Sequence, residues 1–218
     1  MITEEQDVWN KIALLALLDG AHKASKVPAD NFAIQKLGFI SELNGRTHNL
    51  HTAYYKFFRF TYGPYSSQLA NDVRLLESLR IIDPESRELT SRGKFLMDYI
   101  SPEVEASDPA KEALNIIAET SKEWGWRRGW QIVDPVYELT VPVDGRDGEE
   151  MKISGIPLNT DILVPSLFSG RDASPFSKEM IEDIHAELAI PADRLNPDSE
   201  EFIQRVSDAL NRALAAPM

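Results

Sequence analysis

Residues 54–89 read YYKFFRFTYGPYSSQLANDVRLLESLRIIDPESREL: an aromatic run, a Gly-Pro turn, an amphipathic stretch, then a β-branched pair and a polar turn. Seven aromatics (Tyr54, Tyr55, Phe57, Phe58, Phe60, Tyr62 and Tyr65) fall within twelve residues, so this segment is either buried or meets a partner. Gly63-Pro64 breaks it sharply. Ser66 can accept a backbone N–H bond as an N-cap, and Leu69, Val73, Leu76 and Leu79 follow at helical spacing, which predicts a helix over 66–80. Ile81-Ile82, the turn chemistry of Asp83-Pro84-Glu85-Ser86 and the return at Glu88-Leu89-Thr90 predict a short two-stranded wing. Thr90 or Ser91 then caps a further helix whose apolar side carries Phe95, Leu96, Tyr99 and Ile100.

Working outward, Thr3-Glu4-Glu5-Gln6 has capping-box spacing, and Val8, Trp9, Ile12 and Leu15 trace one face of a helix that Gly20 is expected to end. Asp30 is placed to cap a second helix over Phe32, Ile34, Leu37, Phe39, Ile40 and Leu43, closed by Asn44-Gly45. Helices followed by helix, wing and helix are the order of a winged helix-turn-helix domain, assigned here to residues 1–102. The polar, proline-containing Ser101–Ser107 stretch reads as a hinge, and residues 108–218 as an acidic α+β domain. Asp108-Pro109 starts a helix reaching about Trp124. The alternation of Tyr137, Leu139, Val141 and Val143, resumed at Met151-Lys152-Ile153, predicts a hairpin. Ile162–Pro165 is a short buried strand, and two terminal helices follow, one over Met180–Leu188 and one over Phe202–Leu214. The fold class is therefore α+β, mostly helical: a winged helix-turn-helix N-terminal domain with a C-terminal α+β extension.

Composition narrows the chemistry. The 218 residues contain no cysteine, which excludes disulfides, thiolate metal sites and cysteine nucleophiles. The apolar run Ile12–Leu18 is far shorter than the ~20 residues of a membrane span, and no signal-peptide pattern is present, so a cytoplasmic protein without a membrane is expected. The net charge of −12 opposes non-specific attraction to nucleic-acid phosphates. Its distribution is uneven: residues 1–105 carry 12 Lys+Arg against 14 Asp+Glu, and residues 106–218 carry 11 against 21. A nearly neutral first half still allows a local basic face.

Catalytic motifs are lacking. There is no Gly-x-x-x-x-Gly-Lys loop, Gly-x-Gly-x-x-Gly turn, Gly-x-Ser-x-Gly elbow or His-Glu-x-x-His helix. His48 and His51 stand three apart without a local carboxylate or cysteine and read as turn histidines, not as a metal site. Asp144, Asp147, Glu149 and Glu150 lack the alternating ligand spacing of a calcium loop. No cofactor and no metal are assigned, and a carboxylate hydrolase of unrecognised type is the least favoured alternative.

Ile34-Gln35-Lys36-Leu37-Gly38-Phe39 and Phe58-x-x-x-Tyr62-Gly63-Pro64-Tyr65-Ser66-x-x-Leu69-x-x-Asp72-x-x-x-Leu76 resemble a loose group of prokaryotic proteins with a QKL-x-F helix and a YGP turn. The group includes YwgA-like proteins and, more distantly, the Panacea domain of SocA-like, phage-associated antitoxins. Leu89-Thr90-Ser91-Arg92-Gly93-Lys94-Phe95-Leu96 is similar to the LT-x-x-G-x-x-L ending of winged-helix regulators. The match covers about residues 5–100, with Gly38 standing where the Panacea pattern is aromatic-rich. The resemblance implies a non-enzymatic protein of regulation, toxin neutralisation or phage defence.

Two binding modes follow. A protein partner, such as a basic toxin, would meet the aromatic residues Tyr54, Tyr55, Phe58, Tyr62 and Tyr65, with the acidic second half complementing its charge. Alternatively, the 66–80 helix reads DNA in the major groove through Ser67, Gln68, Asn71 and Arg74, with Arg87 at the wing tip. Asp72 and Glu77 on the same helix weigh against the second mode. A further patch, Trp126, Arg127, Arg128 and Trp130, has the residue types for base stacking or for cation–π contact, though packing at a subdomain junction is the favoured reading. A homodimer through a terminal helix is also compatible with the pattern.

Overall fold

The computed structural model describes residues 2–142 and 150–188. In chain order the elements are α1 (Glu4–Ser25), α2 (Asn31–Thr47), β1 (Phe57–Phe60), β2 (Gly63–Tyr65), α3 (Ser67–Ser78), α4 (Ser91–Ala106) and α5 (Asp108–Trp124). They continue as α6 (Trp130–Tyr137), β3 (Thr140–Pro142), β4 (Glu150–Lys152), β5 (Asp161–Leu163) and α7 (Lys178–Leu188). The class is α+β and mostly helical.

The expected caps form. Thr3 and Gln6 make a reciprocal capping box, Asp30 accepts from Ala33 N at 2.7 Å, Ser66 from Leu69 N at 3.3 Å, and Thr90 from Gly93 N at 3.3 Å. Gly20 does not end its helix. A Cβ there would stand 2.7 Å from Ser121 Cβ, so the glycine lets α1 and α5 approach closely, and α1 runs on to a left-handed Lys26 at φ 56°.

The centre of the molecule is α2. Residues 33–42 are buried all round the helix, among α1, α3, α5, α6 and β2. The aromatic run supplies two strands: β1 and β2 pair antiparallel with Phe58 opposite Tyr65, and β1 also pairs antiparallel with β5, Phe57 opposite Leu163. The sheet order β2-β1-β5 thus joins the two halves of the chain.

Residues of the expected parts 1–102 and 108–218 share an interior. One buried cluster takes Trp9, Leu37 and Phe57 together with Ile117, Val133, Ile162 and Ile181. The supposed hinge is helix: exposed Pro102 lies within α4, and Ser107 serves both as C-cap of α4 and as N-cap of α5, leaving no linker. The wing is reduced to a single antiparallel bridge, Ile82 with Leu89, around a turn in which Asp83 accepts from Glu85 N and Ser86 N. Tyr137 ends a helix instead of starting a strand, because the buried set Ile132, Val133 and Val136 follows helical spacing. The predicted hairpin exists from Thr140, with Val141 opposite Met151. The acidic loop over 143–149 and the last predicted helix lie outside the described residues.

Candidate functional site

The two stretches that carry the family resemblance lock together. Gln35 grips the backbone of Ser66 from both sides, accepting from its N–H at 2.7 Å and donating to its C=O at 3.0 Å. One residue on, Lys36 donates to Pro64 O at 2.8 Å, and Gly63, at φ +92°, leaves 3.3 Å between its missing Cβ and Lys36 Cε. Gly38 makes room for Leu69, whose Cδ1 would lie 2.7 Å from an added Cβ. A side chain on α2 therefore sets the tilt of the hairpin and the entry angle of α3 together. Lys36 is only 2% exposed and has no carboxylate on it among the described residues; burial first, then the Arg59 charge, pull its amine down to about 8.

That rigid base presents an aromatic surface. Tyr62 at the hairpin tip meets Phe32 from the start of α2, ring centroids 5.4 Å apart at 86°, and Trp130 from the start of α6, 5.6 Å apart at 81°. Phe32 is 41% exposed, Tyr62 43% and Trp130 61%, a large solvent share for three touching rings. Phe60 packs on Tyr65 at 5.5 Å, and both pack on Phe58. Between α2 and the hairpin lies a cleft of about 130 Å³ bordered by Phe32, Lys36, Phe60, Tyr62 and Tyr65. It adjoins a cleft of about 200 Å³ between α2 and α3, with Asn31, Gln35 and Tyr65 common to both.

The residues expected to bind a partner divide into two sets. Tyr62 is in this surface, with Tyr65 and Phe58 half-buried beside it. Tyr54 and Tyr55 are not: both are buried and hydrogen-bonded inside. Tyr54 Oη donates to Asp172 and accepts from Ala173 N at 3.2 Å, and burial together with the Asp172 bond drives its phenol far above the ordinary range. Tyr55 Oη lies 3.0 Å from both Asn10 O and Asp72 Oδ2, and burial raises the Asp72 carboxyl against the opposing pull of Lys11. The hydroxyls explain why two tyrosines in a partner-like run belong to the interior: each has a polar acceptor waiting there.

The alternative DNA-reading set is also divided. Ser67, Asn71 and Arg74 are exposed on α3, Gln68 is half-buried, and Arg74 donates to Asn71 at 3.3 Å. Asp72, counted against DNA because it shares this helix, turns inward and does not charge the outer face. Arg87 is no wing tip. It has φ 56° and donates to Glu77 at 3.2 Å, Ala29 O at 2.6 Å and Asn31 at 2.7 Å, stapling the turn after α3 to the start of α2.

The Trp/Arg stretch separates likewise. Arg128 spends its guanidinium on the backbone of residues 27, 28, 125 and 127 and on Ser25, tying the α1–α2 connection to the α5–α6 connection. Arg127 lies over Trp124 at 4.2 Å and over exposed Trp126 at 5.2 Å. Trp130 alone of the four reaches Tyr62, so the structure fuses two surfaces that the sequence placed about seventy residues apart. Phe32, read as an apolar-face position of the second helix, and Phe60, one of the seven aromatics of the run, belong to the same surface.

Of the two histidines read as turn residues, His48 is an exposed turn residue and His51 is buried. His51 is buried with Nδ1 3.1 Å from Glu42 and Nε2 3.1 Å from Phe168 O, while Glu42 also accepts from Thr52 N and Ala53 N. His48 pairs with Glu112 at 3.3 Å. Among the described residues no three His, Cys, Asp or Glu side chains gather in a metal-holding group, and no helix is long and apolar enough to cross a membrane. No protein-family model, curated protein or solved structure matches the chain.

Proposed function

We propose that this protein is a non-enzymatic binding protein that grips another protein through the Phe32–Tyr62–Trp130 surface, in an antitoxin-like or phage-defence role. The observation that carries the proposal is the exposure of three contiguous aromatic rings drawn from three elements and held by a buried clamp. Aromatic side chains with few rotamers concentrate binding energy at protein interfaces, and a preorganised base lowers the entropy lost on association. Within this reading α1–α4 form a winged-helix-type unit with a vestigial wing, in a cytoplasmic protein. The test is affinity capture from nuclease-treated lysate of the source cells, comparing wild type with Tyr62→Ala/Trp130→Ala. A stoichiometric protein held by wild type and lost by the variant, at unchanged melting temperature, is the expected result. Equal retention by both would sink the proposal.

A second reading draws on one observation: Ser67, Asn71 and Arg74 are free of the core on the outer face of α3, with Asp72 turned away from them. In that reading α3 enters a major groove as a transcriptional regulator's recognition helix. It has little phosphate anchoring, because Arg87 is consumed internally. Specific DNA recovered without nuclease, lost steeply with salt and lost again in Arg74→Ala, would favour it.

A further inference from the structure

The hairpin tip lies against one face of α6. Trp130 meets Tyr62, and Tyr137 Oη donates to Thr61 O at 2.6 Å. Trp130, Asp134 and Tyr137 stand at i, i+4 and i+7, so Asp134 sits between these two contacts on the same helix face. It is exposed and makes no ion pair among the described residues.

The basic side chains bordering the surface are held in internal contacts; Arg59 is buried, donates to Ile153 O and lies over the Tyr137 ring. Lys36 is buried on Pro64 O, Arg87 is bound to Glu77 and Asn31, and Arg128 is spent on backbone carbonyls. The rings meet nearly at right angles, an arrangement that leaves π faces uncovered. What stays exposed is ring surface and one carboxylate without an ion pair among the described residues, on a chain whose net charge is −12. Arg127, lying over two tryptophans in the next turn of chain, shows the same pairing made internally.

We propose that the corner of Phe32, Tyr62 and Trp130 receives a cationic side chain of the protein partner, an arginine guanidinium stacked on an open ring face with Asp134 as its counter-charge. This rests on the protein-binding role proposed above and adds the chemistry of the occupant. Arginine fits better than lysine because a planar, weakly hydrated guanidinium stacks on a ring while its N–H groups still reach a carboxylate. A contact of this kind at an exposed site strengthens binding by about two- to fivefold.

The experiment is a titration of the whole protein, followed by its tryptophan indole N–H resonances in two-dimensional NMR. Trp130 is assigned through Trp130→Phe. The probes are the blocked peptide Gly-Arg-Gly-Arg-Gly, the same peptide with citrulline or lysine for arginine, and a ten-nucleotide oligothymidine. The arginine peptide is expected to shift the Trp130 indole saturably and to leave buried Trp9 unmoved. Lysine should bind more weakly, citrulline should have no effect, and Asp134→Asn should weaken the arginine peptide about threefold, within the range for an exposed cation–π and ion-pair site. Equal shifts with citrulline, or affinity unchanged in Asp134→Asn, overturn the proposal. A stronger response to oligothymidine overturns it in favour of a nucleic-acid surface. A protein partner captured through Tyr62 and Trp130 alongside a silent arginine titration would remove the cation but keep the interface; failure of both removes the interface.

Discussion

Replacing Lys36 by Met tests whether the clamp at the heart of the molecule carries a cost that depends on pH. The side chain is 2% exposed, donates to Pro64 O at 2.8 Å, and has its amine lowered from 10.5 to about 8 by burial and by Arg59. Below pH 8 both folded and unfolded chains hold the proton. Between pH 8 and 10.5 the unfolded chain binds a proton that the folded chain does not, so stability rises with pH through that window and levels off above it. The drop from 10.5 to about 8 corresponds to about 3 kcal/mol. Lys36→Met keeps a similar apolar stem and removes the titration, so other lysines and tyrosines cancel in the difference between the two proteins. Urea unfolding at half-unit steps from pH 7 to 10.5 is expected to show wild type gaining about 3 kcal/mol on the variant, the neutral amine still donating to Pro64 O. A difference that stays flat, or that moves against wild type as pH rises, would refute the claim that a protonated Lys36 is held in the interior at a cost.

Three further outcomes follow from contacts on the same framework. Arg87→Ala removes donations to Glu77, Ala29 O and Asn31 and should cost about 2 kcal/mol in chemical denaturation, with Arg87→Lys restoring little because one ammonium cannot serve three directions. Gly20→Ala should destabilise by about 1–3 kcal/mol despite alanine's better helix propensity, since the new Cβ meets Ser121 Cβ at 2.7 Å; the double variant Gly20→Ala/Ser121→Gly should recover most of the lost melting temperature. Tyr55→Phe strips a donor from buried Asp72 and should cost about 1–3 kcal/mol, an amount that shrinks as acid protonates Asp72 and so lowers the penalty of a buried carboxylate left with Lys11 alone. Unchanged melting of Tyr55→Phe at neutral pH would contradict that pairing.

Local chemistry was readable along the chain. Thr3, Asp30, Ser66 and Thr90 cap their helices because a side-chain oxygen satisfies nearby backbone N–H groups whatever the rest of the molecule does. The hairpin at Val141 followed from short-range alternation, and the strand at Ile162 from a short apolar run. Gly20 and Pro102 were read as breaks because their intrinsic preferences say so, yet packing overrode both: Gly20 serves the approach of α5 a hundred residues later, and Pro102 spends its missing N–H on an exposed side of α4. The short α6 was missed because eight residues give too little periodicity to outweigh β-branched content.

For the candidate site, the sequence by itself determined the materials: an aromatic run, a Trp/Arg stretch, a QKL helix and a YGP turn, with a charge balance that disfavours phosphate. Only the tertiary structure decided which aromatics face solvent. Tyr54 and Tyr55 find buried acceptors, whereas Tyr62 stands on a tip held by Gln35 and Lys36 and there meets Phe32 and Trp130. The physical reason is that burial of a ring depends on whether a partner for its polar atom and a cavity for its surface exist elsewhere in the chain. That information resides in contacts between distant residues, not in the spacing of near ones.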